Sequence, residues 1–161
     1  MEQPTWQNQL DEWLKDVRKI VVMGIGNPMR KDDAVGLHVV TDMIGSVSNR
    51  VELMRVDTVP ESFTANVRRA DPSHVLLVDA AEFGEKAGSV KFVGAHDADG
   101  FSGSTHSMPL KVLATFLEKT SRAKIALLAI QPKAVEMGDD MTPELVESAK
   151  EISRNLIQLL P

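Results

Sequence analysis

The sequence predicts a three-layer α/β sandwich, a mostly parallel five-stranded sheet with one antiparallel edge strand and helices on both faces. Three observations carry this expectation. Apolar runs of strand length alternate with segments of helical period along most of the chain. The third run, His74-Val-Leu-Leu-Val-Asp79, is almost purely apolar, as a central strand covered on both faces requires. The connection over 80–87 is too short for a crossover helix, so the strand after it must run antiparallel to the third and lie at an edge. A single domain over 1–161 is expected, with 1–15 as an N-terminal helical extension.

Thr5 followed by Trp6, Leu10, Trp13 and Leu14 reads as a short amphipathic helix capped by Thr5, its tryptophans packing on the core. A strand follows over about 18–24. Gly24 and Gly26 allow a sharp turn, and Asn27-Pro28 delays the next helix until Asp32 and Asp33. Val35, Val39, Val40, Met43 and Ile44 supply its buried stripe, which stops at Gly45 and leaves His38 exposed. Residues 51–57 alternate as a strand, 61–70 form a helix ending before Asp71-Pro72, and 74–79 form the central strand. The fourth, half-polar strand covers 88–93. Residues 94–107 show no apolar period, and at about 3.3 Å per residue they are long enough to recross the sheet and return His106 toward Asp79. Pro109 opens a helix carrying Leu110, Val112, Leu113 and Phe116; 124–130 form the fifth strand, and Thr142-Pro143 opens a C-terminal helix to Leu160.

Composition excludes several classes. The chain has no cysteine, so a disulfide framework, a thiolate metal site and a cysteine nucleophile are all ruled out, and any metal must be held by oxygen and imidazole. A net charge of -5 with scattered basic residues gives no electrostatic basis for binding nucleic acid or an anionic membrane. No apolar run approaches a membrane span and no signal-peptide pattern opens the chain, so a cytoplasmic protein without membrane insertion is expected.

The turn after the first strand lacks the third glycine of a dinucleotide fingerprint, which Met29 replaces, and no Walker lysine follows. Two carboxylates would also repel a phosphate there. Either Asp32 caps the helix and Asp33 adds a favourable first-turn charge, with no ligand, or the pair faces a cation. Ligands of open α/β sheets lie beyond the carboxyl ends of the strands, and the chain sends Asp33, Asp57, Asp79, His106 and Gln131 to that edge. Asp33, Asp79 and His106 form an O, O, N set suited to a first-row divalent metal. Asp79 as a turn cap and His106 as a solvated loop histidine are the alternatives. Asp57 and Gln131 are read as structural, His74 and His96 as non-ligands, Glu61 as a helix N-terminal charge, and Glu82, Glu85 and Lys86 as a solvated loop face.

The motifs Gly-Ile-Gly-Asn-Pro-Met-Arg-Lys-Asp-Asp-Ala-Val-Gly36, Leu-Leu-Val-Asp-Ala80, Thr-His-Ser-Met-Pro-Leu110 and Ile-Gln-Pro132 occur in this order, and over about 20–160 the chain resembles the hydrogenase maturation endopeptidases. The resemblance implies an endopeptidase of the aspartyl type that activates another enzyme by removing a C-terminal extension from the precursor of a nickel-iron hydrogenase large subunit after nickel insertion. It places the family's metal-binding and catalytic side chains on Asp33, Asp79 and His106. It also implies that nickel arrives with the precursor and that other divalent metals can substitute. A monomer is the expected state. The rival reading is a non-catalytic, metal-sensing chaperone for the same precursor; a small-molecule domain using the Gly-rich turn is disfavoured by the two aspartates.

Overall fold

The computed structural model describes residues 3–57, 59–100 and 109–161. Five strands, β1 (Ile20–Ile25), β2 (Val51–Val56), β3 (His74–Ala80), β4 (Val90–Gly94) and β5 (Lys124–Ile130), form one sheet in the order β2-β1-β3-β5-β4. All pairings are parallel except β4 with β5. The expected antiparallel edge strand is therefore present, and β5 lies between it and β3. β1 and β3 are buried at every position, because helices cover both of their faces.

Alternate residues of each strand feed two separate cores. Ile20, Val22, Leu76, Val78 and Leu128 meet α1 (Trp6–Trp13), α2 (Val35–Met43) and α5 (Pro143–Leu159) on one face. Val21, Met23, Val75, Leu77 and Leu127 meet α3 (Thr64–Ala70) and α4 (Leu110–Ser121) on the other. Leu110, Leu113 and Leu117, at helical spacing, are the residues α4 buries, while Val112 and Phe116 of the expected stripe stay substantially exposed.

Several elements differ from expectation. β1 and β4 each start two residues and end one residue later than read. The helix expected over 61–70 is a 3-10 turn at Pro60–Phe63 followed by α3. Part of the stretch read as featureless forms a second 3-10 turn, Ala95–Gly100, which buries Ala95 and Ala98 beside α4. Two alanines are too weak an apolar signal for a periodicity argument to detect.

The N-terminal extension packs as expected. Thr5 caps α1 by accepting from the Asn8 amide at 3.1 Å. Trp13 meets the ring of His74 edge-on at 4.7 Å and Phe92 of β4 at 5.8 Å. His74 is buried at the start of β3. Its Nε2 donates to the Trp13 carbonyl, which can only accept, leaving Nδ1 facing the Ser73 hydroxyl in the neutral ring. It belongs to the amino-terminal edge of the sheet, far along β3 from Asp79.

Candidate active site

The chain leaves β1 for β2 in one direction and later passes from β3 toward β5 in the other, so the strand order reverses between β1 and β3. That reversal opens a crevice at the carboxyl ends of these two strands. Asp33 follows β1 and Asp79 lies in the last turn of β3, and both are buried, at 2% and 0% exposure. By strand alternation Asp79 shares the face of Val75 and Leu77, the side covered by α3 and α4.

Glycines bring Asp33 to this point. A Cβ on Gly26 would overlap the carbonyl of Asp33, and one on Gly36 would overlap the carbonyls of Val78 and Ile25. The turn carrying Asp33 can therefore lie directly against the end of β1, and the first turn of α2 against the ends of β1 and β3. This turn is a 3-10 helix, Lys31–Ala34, that leads straight into α2.

Of the two readings left open for Asp32, the helix cap is not what the structure shows. No side chain caps either helical segment here, and the buried Asp32 carboxylate instead crosses to the chain after β5. Its Oδ2 accepts from the amides of Lys133 and Ala134, each at 2.9 Å, and its Oδ1 from the amide of Thr142 at 2.7 Å. The Thr142 hydroxyl lies within 3.0 Å of both oxygens. Four donors thus satisfy a carboxylate that burial alone would penalise. They tie the Asp33 turn to the start of α5. Nothing in a single sequence links positions about a hundred residues apart, so this clamp was not legible there.

Gln131 is structural, as read. Its side-chain oxygen accepts from the amides of Phe83 and Glu85 at 2.9 and 3.3 Å, and its amide group donates to Glu82 at 2.7 Å. Glu82, Glu85 and Lys86 are exposed, though Glu82 serves this network as well as facing solvent. Arg30 and Lys31 are engaged within the chain: Arg30 Nε donates to the Val135 carbonyl at 2.8 Å, and Lys31 pairs with Glu136 at 3.0 Å. Asp57, at the end of the edge strand β2, is exposed. His38 is exposed, and His96 pairs with Glu118 on the α4 side at 3.5 Å. Neither is near the crevice.

Asp33 and Asp79 are thus both delivered to the crevice, while His106 lies outside the described residues. Among those residues no group of three His, Cys, Asp or Glu side chains is arranged to hold a metal ion. Two deeply buried carboxylates supply hard oxygen donors, and an imidazole would complete a set matched to a borderline divalent ion.

The strand order and the acidic crevice define the class: a doubly wound α/β protein with two buried carboxylates at the topological switch. Comparison with known proteins then gives the family. The hydrogenase maturation protease family model matches residues 37–160. A candidate hydrogenase maturation protease of Methanocaldococcus jannaschii is 32% identical, over 86% of this chain and 93% of its own. The hydrogenase 3 maturation protease of Escherichia coli K12 is 26% identical, over 84% and 87%. The crystal structure of a [NiFe] hydrogenase maturation protease from Thermococcus kodakarensis superimposes with a TM-score of 0.86 at 26% identity, covering 94% of this chain and 98% of that one. The chain belongs to the hydrogenase maturation protease family, and is a hydrolase that cleaves polypeptide.

Proposed function

We propose that this protease removes a C-terminal extension from the precursor of a nickel-iron hydrogenase large subunit, after nickel has been inserted, and that Asp33, Asp79 and His106 recognise the nickel the precursor carries. The observation that carries the reading is the burial of Asp33, in the turn that follows β1, and of Asp79, near the end of β3, the two strands that flank the switch point. The T. kodakarensis and E. coli relatives are named for hydrogenase maturation, which supplies the client class. For His106, support comes from the neighbouring chain. Pro109 lies immediately before α4, and α4 leads through Arg122 into the start of β5, so its first turn stands at the carboxyl edge of the sheet.

In this scheme nickel is part of the substrate. Two carboxylates and one imidazole leave coordination positions for the precursor's own ligands, so a loaded precursor is distinguished from an empty one by the bonds it forms here. Asp33 is braced from behind by the Asp32 clamp and Asp79 by the central sheet, so both are preorganised before the client arrives. An aspartyl-type cleavage, with a carboxylate of the site handling the proton of the attacking water, is consistent with a chain that lacks cysteine. A cytoplasmic location and a monomeric state complete the proposal. Among the described residues no helix is long and apolar enough to cross a membrane.

Incubation with nickel-loaded and empty precursor, followed by mass measurement, tests the scheme. The loaded precursor loses a C-terminal peptide and the empty one does not. Asp33→Ala, Asp79→Ala and His106→Ala each reduce processing by a factor of at least about a thousand, as loss of a group acting in the reaction does. Unimpaired cleavage by any two of these variants overturns the site, and tight binding with no change of mass returns the chaperone reading.

A further inference from the structure

We infer that Met29, Val135 and Met137 form an apolar docking rim for the client polypeptide beside its scissile bond. This inference rests on the endopeptidase reading of the same sheet edge. The three side chains are 58%, 37% and 66% exposed, and they stand on a built ribbon. The Gly138 amide donates to the Met29 carbonyl at 2.9 Å, the Lys31 amide to the Gly138 carbonyl at 3.0 Å, and the Asp32 amide to the Ala134 carbonyl at 2.9 Å. Arg30 and Gly138 form a parallel bridge, and the Arg30 and Lys31 side chains bond to Val135 and Glu136 across it. The exposed apolar groups are therefore held outward by an ordered backbone.

The ribbon's position selects its occupant. One strand of it descends from β1 and the other from β5, and these flank β3 in the sheet, so the ribbon lies by the carboxyl end of β3, with Asp33 only four residues past Met29. An endopeptidase must lay polypeptide across its catalytic edge on at least one side of the bond it cuts, and this rim is continuous with that edge. Lys31 is paired with Glu136 within the ribbon, while Asp139 and Asp140 beyond Gly138 are exposed, so the three apolar side chains offer a client a contact that charge does not. Methionine, unbranched and polarisable, moulds itself to a partner side chain. The client therefore presents at least one large apolar residue close to the cleavage point.

The test uses the full chain and the nickel-loaded large-subunit precursor. Met29→Glu and Met137→Glu each raise KM about tenfold, the loss expected when one large apolar side chain no longer finds an apolar partner. Ile44→Glu, an equally exposed apolar position at the opposite end of α2, leaves KM at the wild-type value. Unchanged KM in both methionine variants overturns the inference, as does a dimer of the wild-type chain that these substitutions dissociate without changing KM, since the rim then belongs to a second copy. Precursor binding measured without turnover separates this inference from the cleavage scheme. If the wild-type chain binds but does not cut, the rim stands when the methionine variants lose binding and falls when they keep it; if the wild-type chain does not bind the precursor at all, the rim falls with the client.

Discussion

Asp32 and Asp33 are adjacent in sequence and face different tasks. The first is consumed by four donors from the chain after β5, and the second is carried to the crevice. Removing the Asp32 carboxylate strands three backbone amides and a hydroxyl in a buried place, so Asp32→Ala should cost about 3 kcal/mol of unfolding free energy. Urea denaturation measures this directly. A cost below about 1 kcal/mol would mean that water replaces the carboxylate freely and that the clamp does not brace the site. The sequence offers Asp32 as a helix cap and Asp33 as the residue facing a ligand, although a helix start welcomes acid at either position. The fold gives Asp32 the clamp instead of the cap.

At the scale of elements, α2 depends on close backbone approach. Gly36 faces the carbonyls of Val78 and Ile25 with no room for a methyl group, and both obstacles are backbone atoms of central strands that cannot rotate away. Gly36→Ala should therefore lift α2 from the sheet, lowering stability by about 2–3 kcal/mol, an overpacking cost, and lowering processing beyond what the unfolded fraction explains. Thermal melting alongside activity at a temperature where the variant is fully folded checks both parts. The strands and the longer helices were readable because apolar period and breakers agree over many residues, as in β3, β5 and α5. The 3-10 turns at Pro60–Phe63 and Ala95–Gly100 were not, since each is too short to display a period and is fixed by what it packs against.

Over the whole molecule, the buried histidine at the start of β3 lies at the edge of the sheet opposite the acidic crevice. Burial pushes the His74 imidazole below its ordinary value of 6.5, and the bond to the Trp13 carbonyl offsets this only in part. The unfolded chain thus accepts a proton near pH 6.5 that the folded chain refuses. The contribution is intact above that pH and is lost as pH falls toward the depressed folded value. Urea midpoints at pH 7.5 and 5.5 should therefore converge in His74→Gln relative to the wild type, while cleavage at pH 7.5 stays unchanged. An identical pH slope in both proteins would show that His74 titrates as it does unfolded. The placing of Asp33 and Asp79 at the carboxyl edge was legible because strands announce their ends and α/β sheets bind ligands at one edge, though the same argument also sent the exposed Asp57 there. The ribbon over 29–31 and 134–138 was not, because its partners are distant and its turns carry no period.

The small border strand β4 has an effect out of proportion to its length. By pairing on the outside of β5 it makes that strand an inner one, and the segment leaving β5 then emerges beside the acidic crevice with a neighbour on its outer flank. Without that five-residue hem, the loop that steadies the acidic turn and turns Val135 and Met137 outward would adjoin an open margin, exposed to chance strand-to-strand association. The hem thus closes off the outer flank of β5 beside the acidic turn.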